Sequence, residues 1–324
     1  MSAGLRISFV VPVKNGAAYL ERCLASIAAS RLPVDQYEVI VGDNGSTDRS
    51  ADVARTAGAV VCSLPNVNVA TVRNQAAAAA RAPVLAFVDA DHEIDSDWPL
   101  VALALLAAPG VVAAGAPYVA PPDGNWVQRA YDSFRSRGRA TQDTDWLPSG
   151  NLAVTRDAFE RAQGFDARLE TCEDVDLCQR LRQAGGRIVA DPRLRSIHRG
   201  DPRSLGAVFR GELWRGRDNL RVSLRSPLTL RSLPSVLIPV LDLLALAAVP
   251  FGLLAWSAGG GWVVLAAILL LLLFMILRAA VMLRRRDHVG LTTIAQTFLV
   301  AGVYDLARAM ALIGRTSHDA RRRT

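Results

Sequence analysis

Through the first half of the chain, short apolar runs alternate with stretches whose apolar residues recur at helical spacing. Residues 7–13 form an apolar run of the kind found in a strand buried on both faces. Leu20, Leu24 and Ile27 then set a helix over 17–30. The alternation continues with strands expected at 37–41, 59–62, 84–88 and 111–114, and helices at 47–57, 69–81 and 98–108. Ser46 is placed to cap the helix at 47–57 and Gly58 to end it. Strands alternating with helices imply an α/β domain with a mostly parallel sheet, whose ligands bind beyond the carboxyl ends of the strands. From 126 to 199 the pattern is less regular, with strands expected at 152–154 and 187–189 and a helix at 173–184.

The second half reads differently. Over 203–224 the apolar residues Leu205, Phe209, Leu213, Leu220 and Leu224 share a helical face beside Arg203, Arg210, Arg217 and Arg221. Such a basic amphipathic helix is expected to lie on a membrane surface, within an interfacial segment at 201–232. Residues 233–256 hold a single charge, Asp242, and span about 36 Å as a helix. Five small residues separate them from a second apolar run at 262–283, so the pair reads as a transmembrane hairpin. Asp242 is placed either to serve a function inside the membrane or to snorkel to its edge. A third apolar stretch, 291–313, contains Asp305 and Arg308; it reads equally as a paired interfacial or re-entrant helix and as a third span. A basic tail, Arg321–Arg323, ends the membrane region at 233–324.

Composition sharpens this division. The chain has 324 residues, 51% of them hydrophobic, with a net charge of +7. Residues 1–192 carry 18 basic and 23 acidic side chains, whereas 193–324 carry 19 and 7. The basic half is therefore the apolar half. That pattern points to an anionic lipid bilayer as partner and away from nucleic acid. Arg284, Arg285 and Arg286 close the hairpin and are expected on the cytoplasmic side. The N-terminus reads as a first strand and not a signal peptide, which keeps the soluble half cytoplasmic. Alanine is abundant and Lys14 is the only lysine, a composition typical of high-GC bacterial genomes. Together these features imply a multi-pass protein of a bacterial inner membrane. Cys23, Cys62, Cys172 and Cys178 show neither zinc spacing nor a disulfide framework and are expected to be reduced.

The acidic residues carry the chemistry. Asp89 and Asp91, one residue apart after the strand at 84–88, can face one divalent ion together with substrate phosphates. Asp43 ends the second strand, before an Asn44-Gly45 turn. Around them stand Val11-Pro12-Val13-Lys14-Asn15, Arg73-Asn74, Ser149-Gly150-Asn151, Gly164-Phe165-Asp166 and Glu173-Asp174-Val175-Asp176-Leu177. In this order the motifs closely resemble those of family 2 glycosyltransferases, over about residues 5–200. The resemblance implies a GT-A, Rossmann-like catalytic domain at 1–200.

It also implies roles. Pro12 and Asp43 would contact the nucleobase, Arg73 would bind the donor, and Asp89 would hold the ribose or sugar. Asp91 would ligate Mn²⁺ or Mg²⁺, joined by His198. Gly150, Asn151 and Glu173 would line the sugar and acceptor pocket, and Asp174 would be the catalytic base. Glu173 and Asp176 are charged neighbours able to raise the pKa of Asp174. The Gln-x-x-Arg-Trp motif of processive synthases is absent; the corresponding region reads Phe209-Arg-Gly-Glu-Leu-Trp-Arg-Gly216. The expected activity is therefore transfer of one sugar per event, from a nucleotide-diphosphate sugar such as a UDP-sugar to a hydroxyl of a lipid-linked acceptor, in cell-envelope glycan or glycolipid synthesis. The alternatives are a polyprenyl-phosphate sugar synthase, whose ionised acceptor needs no base, and a non-catalytic membrane-tethered binding module.

Overall fold

A computed structural model describes residues 4–135, 138, 140–225, 233–286 and 289–321, with 314–321 by their backbone alone. The end of the expected interfacial segment, 226–232, and the side chains of the tail Arg321–Arg323 lie outside the described residues. The chain forms two compact units. The first comprises Met1–Pro121 and Arg135–Asp201; the second comprises Pro122–Phe134 and Pro202–Thr324.

The first unit is built on β1 (Ile7–Val13), α1 (Ala17–Ala28), β2 (Tyr37–Asp43), α2 (Ser50–Thr56), β3 (Val60–Ser63), α3 (Val69–Ala78), β4 (Val84–Val88), β5 (His92–Ile94), α4 (Trp98–Leu106) and β6 (Val111–Gly115). The chain leaves for the second unit through α5 (Trp126–Asp132). It returns with β7 (Gln142–Asp143), β8 (Asn151–Thr155), α6 (Arg156–Arg161), α7 (Glu173–Gln183), β9 (Arg187–Ala190) and β10 (Ser196–His198). Eight strands form one sheet in the order β3-β2-β1-β4-β8-β6-β9-β7, and β5 pairs with β10 in a separate ladder. The β3-β2-β1-β4 half is wholly parallel, β6 and β9 are also parallel, and β8 runs antiparallel to both of its neighbours.

Central position explains the apolar composition of β1 and β4. Phe9, Val11, Ala86 and Val88 pack on the α1 and α4 side, while Val10, Leu85 and Phe87 pack on the opposite side. Phe87 meets Phe165 edge-on at 5.0 Å, a contact worth about 0.5–1.5 kcal/mol beyond its burial. The parallel register aligns Val13 with Asp43, so the ends of β1 and β2 open at the same level.

One helix start differs from expectation. α2 begins at Ser50, and Ser46 does not cap it. Instead the Ser46 hydroxyl accepts the Asn15 N–H at 3.0 Å, and the Asn15 side chain accepts the Thr47 N–H at 2.7 Å. The polar residues after β2 are thus used to tie down the loop after β1.

In the second unit α5 is followed by α8 (Leu205–Arg215), α9 (Asn219–Ser223), α10 (Leu233–Leu254), α11 (Gly261–Leu283) and α12 (Leu291–Arg321). The sequence pattern suggests one continuous helix over 203–224, but the structure breaks it between Arg215 and Asn219. Gly216 lies at that break, where an added Cβ would come within 2.4 Å of the Ala311 side chain. The apolar face of α5, Val127, Ala130 and Tyr131, recurs at helical spacing and packs with Val208, Ala279, Met282, Val300 and Ala301. This core draws 122–134 out of the expected 1–200 domain.

Among the described residues, three helices are long and apolar enough to cross a membrane: Leu233–Leu254, Gly261–Leu283 and Leu291–Ile313. Asp242 is buried among them with no hydrogen-bond partner on either carboxylate oxygen. Asp305 accepts from Arg278 at 2.5 Å, and Arg308 lies 3.8 Å from Glu212. All four cysteines are free thiols.

Candidate active site

The ends of β1 and β2, the loop after β4 and helix α3 carry the sequence-predicted donor residues. Pro12 is the penultimate residue of β1, opposite Gly42, and Asp43 is the last residue of β2. The Asp43 carboxylate accepts the Ser46 N–H at 3.1 Å, which closes the Asn44-Gly45 turn. Gly45 adopts φ +68°, a conformation that favours glycine.

Asp89 and Glu173 are joined by one arginine. Arg73, on α3, is 3% exposed; Nη2 donates to Asp89 Oδ1 at 2.6 Å and Nη1 to Glu173 Oε1 at 2.7 Å. Phe165 packs against the guanidinium at 5.6 Å. The neighbouring Asn74 accepts the Phe165 N–H at 2.9 Å and donates to the Phe165 carbonyl at 2.8 Å. Arg73-Asn74 and Gly164-Phe165 are therefore one device: the asparagine pins the turn that carries the ring beneath the arginine. With both Nη atoms on carboxylates, Arg73 acts here as a brace between Asp89 and α7. Gly150 lies beside Asp89, and a Cβ there would fall 2.6 Å from Asp89 Oδ2.

Asn151 departs from expectation. It is fully buried, accepts from the Trp98 indole N–H at 2.7 Å, and donates to the Ala116 and Leu194 carbonyls, each at 2.8 Å. Those bonds use both amide protons and engage the oxygen, and the residue is wholly buried, so the side chain holds the fold together and does not line a sugar pocket. Side chains alternate along an extended chain, and that of Asn151 points inward.

Asp174 stands in the first turn of α7, whose flanking residue Cys172 takes a left-handed conformation (φ 60°). Its carboxylate accepts from the Val175 N–H at 2.8 Å and the Ser149 N–H at 3.3 Å. Desolvation and the adjacent Glu173 charge raise its pKa to about 7, against the opposing pull of those N–H groups and Arg73.

A second cluster forms where β5 pairs with β10. That ladder sets His92 directly opposite His198. Ligand atoms of Asp91, His92 and His198 all lie within 4.8 Å of one another. His198 Nε2 is 3.1 Å from Asp91 Oδ2, and His92 Nε2 is 4.0 Å from Asp91 Oδ1. Burial opposes ionisation of Asp91, but the His198 charge and hydrogen bond outweigh it and hold the carboxyl well below its usual range. Burial likewise acts against His198 protonation, yet Asp91 and Asp201 raise its pKa to about 9. Burial and the His198 charge depress His92 to about 4, which leaves it neutral.

The cluster has its own support. His198 Nδ1 lies 2.6 Å from Asp201 Oδ1, and Asp201 in turn is gripped by both Nη atoms of Arg135. Arg135 stacks at 4.2 Å on Tyr118, whose ring touches both histidines. An added Cβ at Gly200 would come within 1.9 Å of Asp91 Oδ2, so only glycine leaves the carboxylate in place. The sequence reading did not include His92, Asp201, Arg135 or Tyr118. Only His92 left a signal, directly after Asp91 in Asp89-Ala-Asp-His92.

The fold, with its sheet half parallel and half mixed, is the GT-A fold. Residues 8–161 match the family model described as Glycosyl transferase family 2. They form a family 2 glycosyltransferase domain, and the chain is a glycosyltransferase. It is 24% identical over 234 residues to the glycosyltransferase AglE of Haloferax volcanii, covering 69% of this chain and 76% of that protein. It is 27% identical over 199 residues to the pre-mycofactocin glycosyltransferase of Mycobacterium tuberculosis, covering 57% of this chain and 41% of that one. Among solved structures, the mannosyltransferase PcManGT from Pyrobaculum calidifontis, in complex with GDP-Man and Mn²⁺, shares the fold. Its TM-score is 0.60 at 18% identity, over 97% of this chain and 88% of that one.

Proposed function

We propose that this glycosyltransferase moves one sugar at a time, with inversion at the anomeric carbon, from a nucleotide-diphosphate sugar to a hydroxyl of a lipid-linked acceptor. A UDP-sugar is the first candidate donor. The observation that carries this reading is Asp174. Its carboxyl is tuned to about 7 and is linked through Glu173 and Arg73 to Asp89 at the end of β4. A hydroxyl needs a base of that kind; a phosphate acceptor does not.

In this reading Pro12 and Asp43 meet the nucleobase, Asp89 the ribose or sugar, and Gly150 and Glu173 border the sugar. The acceptor oxygen attacks the anomeric carbon from the face opposite the diphosphate. The C–O bond to the diphosphate breaks, its electron pair leaves with the phosphate, and Asp174 takes the hydroxyl proton. Asp91 and His198 would hold a divalent cation, and we add His92 as a third ligand. The donor set fits. Asp201 orients the His198 ring through Nδ1 and leaves Nε2 facing Asp91, the usual second shell of a metal-bound histidine. Imidazole donors favour Mn²⁺ over Mg²⁺. Once bound, the cation would neutralise charge gathering on the departing diphosphate. Replacing Asp201 by Asn should therefore weaken Mn²⁺ binding about 10–100-fold, read by titration of the purified protein without any substrate.

The apolar helices and Arg284–Arg286 support anchoring in a bacterial inner membrane with the catalytic domain on the cytoplasmic side. The reading is tested by nucleoside-diphosphate release from UDP-, GDP- and dTDP-sugars, with Mn²⁺ or Mg²⁺ and lipid extract as acceptor. Metal-dependent release from one donor supports it and identifies the nucleotide. Release that persists undiminished in the Asp174→Asn variant overturns the hydroxyl acceptor in favour of a phosphate.

A further inference from the structure

The third apolar helix is long enough to cross a bilayer, yet its contacts place it elsewhere. α10 and α11 form a hairpin that turns at 255–260, where Gly252 packs against Gly260 and Val264. The open end of the hairpin therefore carries the start of α10 and the end of α11. A third crossing that began at Leu291 would carry Ala311 about 30 Å to the far face at 1.5 Å per residue.

Three contacts keep this part of α12 at the open end. Tyr304 stacks on Phe134 at 4.3 Å, and the Phe134 carbonyl accepts from Arg285 at 2.7 Å, just past the end of α11. Asp305 pairs with Arg278, within the last two turns of α11. Ala311 sits against Gly216, and three residues later Asn219 donates to the Ser235 carbonyl at 2.9 Å, in the first turn of α10. Tyr304 lies near the end of α11 and Ala311 near the start of α10. The helix between them runs across the mouth of the hairpin, not along its length.

α8 confirms the depth. It lies beside α12, joined by Val208 with Val300 and Ala301, by Glu212 with Arg308, and by Gly216 with Ala311. It also exposes Arg210 and ends at Arg215, side chains that do not settle in hydrocarbon. The opposite stripe of α12 is apolar and exposed: Leu299, Leu306, Met310 and Ile313. A helix with charged partners on one flank and an apolar stripe on another suits the boundary between headgroups and acyl chains.

We infer that α12 lies in the plane of the membrane, bridging the open end of the α10–α11 hairpin with α8 beside it, so that the described residues cross the bilayer only twice. The partner of the apolar stripe is the acyl boundary of one leaflet. The inference rests on the membrane-anchored reading above but not on the chemistry. Two crossings cannot enclose a channel for a growing polymer, which agrees with transfer of a single sugar.

The test is topological. Full-length protein is fused after Thr324 to a reporter that fluoresces only in the cytoplasm or, separately, to one active only after export. The same pair is placed ahead of Met1 as reference. The in-plane helix predicts that both ends of the chain report from the same side, whereas reports from opposite sides would establish a third crossing and overturn the inference. A cysteine appended after Thr324 gives a second reading in sealed vesicles of either orientation, above the labelling of the parent chain. Labelling by a membrane-impermeant thiol reagent from the side of the N-terminus supports the inference, and labelling from the other side overturns it. Neither measurement reads activity, so failure of the proposed reaction would leave both results standing.

Discussion

Substituting Asn for Asp174 should lower the rate of sugar transfer about 10²–10⁴-fold while leaving nucleotide-diphosphate affinity near the parent value. The two halves of this expectation come from different parts of the site. Asn keeps the volume of the side chain and its one oxygen can still accept the Val175 N–H, so α7 should keep its first turn, while the longer bond from the Ser149 N–H to the second carboxylate oxygen is lost. What disappears is the capacity to take a proton. The donor residues on β1, β2 and β4 are untouched, so nucleotide binding measured by calorimetry should persist. Loss of binding together with rate would mean that Asp174 is structural, and the assignment of the base would fail.

The same carboxyl predicts a pH profile. A base works only when ionised, and burial together with Glu173 has raised this group to about 7. Transfer measured as kcat/KM in the free enzyme should therefore climb as pH rises through about 7 and level off above it. The rising limb should vanish from the residual activity of the Asn variant.

How much of this was readable beforehand depends on the length of each pattern. β1 and β4 announce themselves because five to seven residues are apolar on both faces. Asp43 ends β2 and Asp89 follows β4, and the parallel order places such ends at one rim. β5 and β10 have three residues each, too few for any period to register. Yet their pairing, more than a hundred residues apart in sequence, is what sets His92 against His198. The cluster was thus half legible: Asp91 and His198 from the motifs, His92 only from the ladder. Asn151 shows the reverse failure. Its neighbour Gly150 does lie against Asp89, but a motif does not say which way each side chain points, and the strand turns Asn151 into the core. The helix expected over 203–224 failed at Gly216, where close approach of α12 matters more than the continuous apolar face.

The largest effect on stability is expected at Arg73. Replacing it by Gln removes the single positive charge between Asp89 and Glu173, both of which it contacts within 2.7 Å. Breaking a buried ion pair from one side costs about 3–5 kcal/mol, because the remaining charges stay in place without their partner. Asp89 keeps about a third of its side chain exposed and can recover some hydration, so the loss should fall toward the lower end of that range. It would appear as a reduced unfolding midpoint in detergent. Arg73 also favours ionisation of Asp174, so in any surviving activity the rising limb of the pH profile should move above its parent position near 7. The direction of that shift separates a brace from a donor ligand. A residue that only grips the nucleotide would raise KM and leave the profile where it was. A second variant completes the test: adding Glu173→Gln to Arg73→Gln removes the orphaned carboxylate as well as its partner. The double variant should regain much of the lost stability and bring the limb back down, since the Glu173 charge that raises Asp174 is then gone too.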